Sequence, residues 1–253
     1  MNTVIIIVDF DNFFGTDLSS TSPEDLEFAF KEFIVVAESN FEDFDYLQIR
    51  LYGGWYKETI LTTQASLLQQ LLFSVNLFPK IKGGKVLRGS VEMVSSLYEI
   101  PEFTWGYTHK EVDGMKPVRI NFGQIDLICD SNRPTCPKFI LNKFTKKKDK
   151  SCAVDGCFNI QKNIFKGIEQ KMVDTLIACD IVSIATQENI AGLIVISDDQ
   201  DHFPSMALAM KKKELNHNDN FQGVLLLFKN EQKLEFVKDF LNPFNIKIIH
   251  YHE

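Results

Sequence analysis

Residues 3–12 read Thr3-Val4-Ile5-Ile6-Ile7-Val8-Asp9-Phe10-Asp11-Asn12, six apolar or β-branched residues followed by two acids and an amide. An apolar block without polar alternation is what a strand buried on both faces requires, as in a parallel sheet. Working outward, similar blocks stand at 46–52, 192–196, 224–228 and 246–251. Helical patterns lie between them. One opens at Ser22-Pro23-Glu24-Asp25, where Ser22 can cap and Pro23 fits the first turn, and continues through Leu26, Phe28, Phe30, Phe33 and Ile34. Further helices are predicted at 64–75, 163–187, 203–213 and 231–241. Alternation of buried strands and helices predicts a three-layer α/β/α sandwich with a mainly parallel sheet.

The chain has 253 residues, 27 Lys+Arg against 34 Asp+Glu, a formal charge of −7 and 45% hydrophobic residues, enough apolar material for a substantial core. No apolar run approaches the roughly 20 residues that span a bilayer, and the first residues lack the basic segment of a secretory signal. Five cysteines, an odd number, are too few for a disulfide framework in a chain of this length. A soluble chain in a cytoplasmic setting is therefore expected. Charge is uneven: residues 1–45 hold eleven acids and one Lys, whereas residues 138–171 hold nine Lys and three acids. The negative total argues against a general nucleic-acid coat, while the asymmetry permits a polyanion contact on one face and an acidic site elsewhere.

The acids have a pattern. Asp9, Asp11 and Asn12 follow the first strand; Ser197-Asp198-Asp199-Gln200-Asp201 follows a second buried strand at 192–196. Ligands of open α/β sheets bind at the carboxyl ends of the strands. In the apolar helix expected at 163–187, Asp174 and Asp180 are the only charges between Lys171 and Glu188. Asp174 is read as a site residue and Asp180 as a paired structural acid, and Cys179 on the same helix as core. Clustered carboxylates repel one another unless a cation neutralises them. With no accompanying His, oxygen ligands select Mg²⁺ or Mn²⁺, and these ions suit phosphodiester hydrolysis.

These residues also resemble a family. Val8-Asp9-Phe10-Asp11-Asn12 resembles the opening Asp-x-x-Asn motif of NYN domains, a branch of the PIN-like ribonucleases. Lys171-Met172-Val173-Asp174, with Asp180 six residues on, is similar to that family's Lys-Gly-Val-Asp helix. Ser197-Asp198-Asp199-Gln200-Asp201-His202-Phe203-Pro204 resembles its Ser-Gly-Asp-Ser-Asp-Phe-x-Pro motif, and Leu51-Tyr52-Gly53-Gly54-Trp55 is similar to its second-strand end. The motifs occur in the family's order and cover 1–60 and 163–253. The resemblance implies a PIN-like fold in which Asp9, Asp174, Asp199 and Asp201 hold one or two Mg²⁺ or Mn²⁺ ions and Asn12 orients the first loop. It implies a metal-dependent endoribonuclease acting on RNA. Two departures stand out: the family's Gly is Asp198, and His202 precedes the aromatic Phe203.

From about 80 to 162 the chain lacks sustained periodicity and carries four cysteines. An insertion at 126–159 is expected within a nuclease domain made of 1–125 and 160–253. Cys129, Cys136, Cys152 and Cys157 either hold a structural Zn²⁺ or are unconnected reduced thiols, since the first pair is wider than the usual two to four intervening residues. For nucleic-acid binding the candidates are Lys80, Lys82, Lys85 and Arg88 in an expected loop, and Lys146, Lys147 and Lys148 within the insertion, with Trp105, Tyr107 and Phe144 able to stack on bases.

Two other readings compete. Asp9-Phe10-Asp11 also resembles the nucleophile motif of haloacid-dehalogenase-like phosphatases, with Asp9 the nucleophile and Asp11 its acid/base partner. Alternatively the acids bind only a structural cation in a non-catalytic RNA-binding or assembly module.

Overall fold

The computed structural model describes residues 1–116, 118–125, 130–146, 149, 151–152 and 156–251. Its centre is the quoted block: β1, Thr3–Asp9, is buried along its whole length. Along this strand alternate side chains serve opposite faces. Val4, Ile6 and Val8 pack with α2 (Pro23–Asn40) and α3 (Thr63–Ser74), while Ile5 and Ile7 pack with α6 (Val173–Ile184), α7 (Phe203–Asn216) and α8 (Leu234–Leu241). Each fully buried aliphatic side chain contributes about 1.5–3 kcal/mol. Covering both faces is why the strand shows no polar alternation.

The remaining sheet strands are β2 (Tyr46–Tyr52), β5 (Lys80–Lys82), β6 (Lys85–Met93), β9 (Ile190–Ile196), β10 (Val224–Phe228) and β11 (Lys247–His250). They form one seven-stranded sheet in the order β11-β10-β9-β1-β2-β6-β5. All neighbouring pairs are parallel except β5 with β6. The chain builds outward from β1 through β2 to β6, then returns to build β9, β10 and β11 on the other side. The reversal lies between β1 and β9, whose C-terminal ends open at the same edge of the sheet. Short elements complete the description: α1 (Phe10–Phe14), the hairpin β3 (Tyr56–Lys57) with β4 (Ile60–Leu61), and the pair β7 (His109–Asp113) with β8 (Lys166–Gln170). Among the described residues no helix is long and apolar enough to cross a membrane.

Local signals explain several boundaries. Ser22 caps α2 by accepting from Asp25 N at 3.1 Å, and the Asp25 carboxylate accepts from Ser22 N at 2.9 Å, with Pro23 in the first turn. Phe28, however, faces solvent. In β9, Gly192 gives room to the ring of Phe41, whose nearest atom would lie 2.1 Å from a Cβ there.

Three expectations need correction. The helix expected at 163–187 is three elements: α5 (Gln161–Ile164), β8 and α6, divided by Met172 in the left-handed conformation at φ 67°. The expected loop carrying Lys80, Lys82, Lys85 and Arg88 is the β5–β6 hairpin, turning on Gly83 and Gly84 at φ 54° and 82°. Cys179 lies on the outer side of α6, exposed rather than in the core, because the apolar positions that face the sheet are Val173, Leu176, Ile177, Ile181 and Ile184.

The chain divides into two compact units, residues 1–109 with 170–253, and Lys110–Glu169. The stretch 126–159 falls inside the second unit. There α4 (Pro137–Thr145) is tied by Thr145 Oγ1, which accepts from Val118 N at 2.9 Å, while Gln161 donates to Met115 O at 2.8 Å and Phe144 packs edge-on to Phe165.

Candidate metal centre

Asp9 ends β1 and is 6% exposed. Its Oδ2 accepts from Ser197 Oγ at 2.9 Å, and that hydroxyl accepts from Asp199 N at 3.0 Å. The first residue past β9 thus holds the last residue of β1 in place across the strand reversal. Asn12 makes a second tie: its Oδ1 accepts from Asp198 N at 2.8 Å.

Asp174 reaches the same place from the first turn of α6 and is exposed at its outer side. Its carboxyl is held above the ordinary Asp value, chiefly by partial burial; nearby His202 pulls it down, and the like charges of Asp9, Asp199 and Asp201 push it up. The third arrival is His202, 1% exposed, whose Nε2 lies 3.4 Å from Asp9 Oδ2. One potential ligand atom from each of Asp9, Asp174 and His202 lies within 4.8 Å of the other two, the one such group among the described residues.

Asp199 and Asp201 border this trio without belonging to it. Asp199 caps the 3₁₀ turn Gln200–His202 by accepting from Asp201 N at 2.9 Å. Asp201 is exposed beside Asp174 at the head of a groove between α6 and α7, floored by Ala178, Cys179 and Leu208 and reaching Lys212. In the run 211–213, Lys211 pairs with Glu214 at 2.7 Å and Lys213 donates to Gln222 O at 3.1 Å, so Lys212 is the lysine left to line that groove.

The other acids have structural duties. Asp198 Oδ1 accepts from Lys229 N at 2.7 Å and Asn230 N at 3.2 Å, fixing the loop after β10. Asp11 accepts from Gly54 N at 3.2 Å, Gln64 Nε2 at 2.6 Å and Gln170 Nε2; burial holds its carboxyl above the usual range against the pull of those bonds. Asp180 is fully buried, bonded to Arg50 Nη2 at 3.1 Å, Tyr98 N at 2.8 Å and the Tyr52 hydroxyl. Its partner comes from β2, not from a neighbouring helical turn.

The basic residues of the β5–β6 hairpin are not gathered at the trio. Arg88 pairs in register with Tyr46, and Tyr46 with Thr3, so Arg88 lies at the amino end of the sheet. Asp9 is six residues up that strand, about 20 Å away at ~3.3 Å per residue. Lys80 and Lys85 share that amino end, because β5 pairs antiparallel with the start of β6, and Lys80 is ion-paired with Glu38 at 3.0 Å. Lys82 belongs to the same hairpin. Lys146 is exposed after α4 in the second unit, and Lys147 and Lys148 lie outside the described residues.

Cys129 also lies outside the described residues. Cys136, Cys152 and Cys157 do not form a close three-ligand group. Cys157 is held below the ordinary thiol value by the Asn159 backbone N–H and by a hydrogen bond with Cys152. Sequence reasoning did not assign His202, Ser197 or Lys212 to the site. His202 was visible only as a departure from a motif, and the lysine run gave no sign of which member faces the groove. No protein-family model, curated protein or solved structure matches the chain.

Proposed function

We propose that this chain is a divalent-cation-dependent nuclease of PIN-like type that hydrolyses RNA phosphodiester bonds. The observation that carries the reading is the convergence of Asp9, Asp174 and His202 at the β1–β9 reversal, with Asp199 and Asp201 at its border. The donor set fits a divalent cation: two carboxylates, one solvent-facing and raised above its usual range by partial burial and like charge, and a buried imidazole with an unpartnered nitrogen. When bound, such a cation neutralises charge on a phosphodiester and favours formation of the attacking hydroxide.

The residues of the chain do the positioning. Asp9 is fixed by Ser197, so its free oxygen has one orientation. Asp174 and Asp201 head a groove whose apolar floor suits the faces of unpaired bases and whose far end offers Lys212 to a phosphate. A phosphatase using Asp9 as nucleophile is less well supported, because the Asp11 oxygens that would serve as acid and base are engaged by Gly54, Gln64 and Gln170.

The test is incubation of the purified chain with single-stranded RNA, single-stranded DNA and a chromogenic phosphomonoester, with Mn²⁺ or with EDTA. RNA cleavage that EDTA stops is expected, lost by at least about a hundredfold in Asp9→Asn, since removing one metal-binding acid forfeits several kcal/mol of transition-state stabilisation. Asp11→Asn should be only mildly impaired. Hydrolysis of the phosphomonoester alone, abolished by Asp11→Asn, would establish the phosphatase instead; RNA binding without cleavage would establish a non-catalytic module.

A further inference from the structure

The expectation of Mg²⁺ or Mn²⁺ rested on carboxylates without an accompanying His, and the structure supplies one. We infer that His202 is a ligand of this same cation site and makes it selective for borderline first-row ions, with Mn²⁺, Co²⁺ and Zn²⁺ held in preference to Mg²⁺. The inference rests on the reading that Asp9 and Asp174 bind a divalent cation.

Three observations carry it. First, His202 is 1% exposed, its Nε2 contact with Asp9 is long at 3.4 Å, and its Nδ1 is buried with no hydrogen-bond partner. A buried polar nitrogen without a partner costs about 1–3 kcal/mol, and a metal bond to Nδ1 would offset that cost directly. Second, the spacing is close to what a cation needs. Three ligands about 2.0–2.2 Å from one ion lie roughly 3–4 Å apart, and the three candidate atoms lie within 4.8 Å of one another, so side-chain adjustment of up to about 1–2 Å closes the site.

Third, the ring is delivered by rigid backbone. The 3₁₀ turn Gln200–His202 is capped by Asp199, Ser205 Oγ donates to His202 O at 2.7 Å, and Pro204 stands in the first turn of α7. The ring position is therefore set by the fold and does not depend on a flexible loop closing over an ion.

Selectivity follows from ligand chemistry. Mg²⁺ sheds water reluctantly and is usually held by one or two carboxylates, so an imidazole adds little to its binding. Imidazole nitrogen binds the later first-row ions progressively better, and Mn²⁺ accepts both donor types. Asp9 and Asp174 supply the charge that any divalent ion needs, and His202 supplies the discrimination.

The experiment is equilibrium metal binding to the full chain without nucleic acid, by competition with a chromophoric chelator, for Mn²⁺, Co²⁺ and Mg²⁺. The wild type should bind Mn²⁺ at least tenfold more tightly than Mg²⁺. His202→Asn should weaken Mn²⁺ and Co²⁺ by tenfold or more and leave Mg²⁺ within about twofold. In parallel, ¹⁵N-histidine labelling of the wild type should produce nitrogen hyperfine coupling to bound Mn²⁺ that disappears in Asp174→Asn, which carries the test should His202→Asn fail to fold. Equal affinities for Mn²⁺ and Mg²⁺, or a bound Mn²⁺ without histidine coupling, would overturn the inference and leave His202 as a neighbour of Asp9 only. RNA cleavage persisting in that case keeps the nuclease reading. Histidine-coordinated Mn²⁺ with no cleavage overturns the nuclease reading and keeps the ligand. A wild type that binds none of the three ions overturns both.

Discussion

At the residue scale, Asp174 concentrates the electrostatics of the site. Its folded-state carboxyl titrates above the unfolded value because of partial burial and the charges of Asp9, Asp199 and Asp201. Folding therefore gains from the protonated form: the contribution is fully present below the unfolded value and is lost as pH rises through the raised one. In EDTA, Asp174→Asn should stabilise the chain at neutral pH by less than about 1 kcal/mol, since the group faces solvent, and not at pH 3. Urea titrations at the two pH values check this, and a variant less stable at neutral pH in EDTA would contradict it. Asp174 could be singled out in the sequence because an acid in an apolar run needs a reason, and the structure sets it close to Asp9 and His202. His202 could not be: one ring between Asp201 and Phe203 has no periodicity, and its burial depends on a turn that only the folded chain shows. Arg50 was equally silent, an ion inside an apolar strand whose partner Asp180 is 130 residues away.

At the scale of elements, the buried strands β1, β9 and β10 were readable because both faces are covered, and α2 because its cap and Pro are local signals. The start of α6 was not, since Met172 adopts φ 67° where a Gly would have marked the break. Strand β6 also escaped notice: it is only partly buried near the sheet edge, and Gly89 and its polar residues blur any pattern. The close approach of Phe41 to Gly192 gives a direct test of how tightly β9 is packed. Gly192→Ala forces the ring aside and should cost about 1–3 kcal/mol, seen as a lower urea midpoint at an unchanged slope; an unchanged midpoint would mean the ring has room to move. The groove between α6 and α7 gives another. Lys212→Ala should raise KM for RNA with kcat little changed and reduce the salt slope of binding by about one, whereas unaltered salt dependence would place the substrate elsewhere.

For the whole molecule, the seven-stranded sheet puts the carboxylates of β1 and the loop after β9 side by side, while the β5–β6 lysines lie at the opposite end. That separation could not be read from a sequence in which strand order and direction are unwritten. The same topology bears on how the chain is made. β1 is synthesised before both strands it pairs with, and its second neighbour, β9, begins only at Ile190. Until β9 is made, this strand, buried along its whole length in the finished fold, has one open edge, a template for pairing with another chain. Nascent chains stalled after residue 175 should therefore bind chaperones or aggregate, and chains extended past residue 235, with the ribosome-tunnel length added, should resist protease. Equal protease resistance at both lengths would mean that β1 and β2 are shielded before β9 arrives. The buried centre that makes this sheet stable once complete is thus the segment most in need of protection during translation.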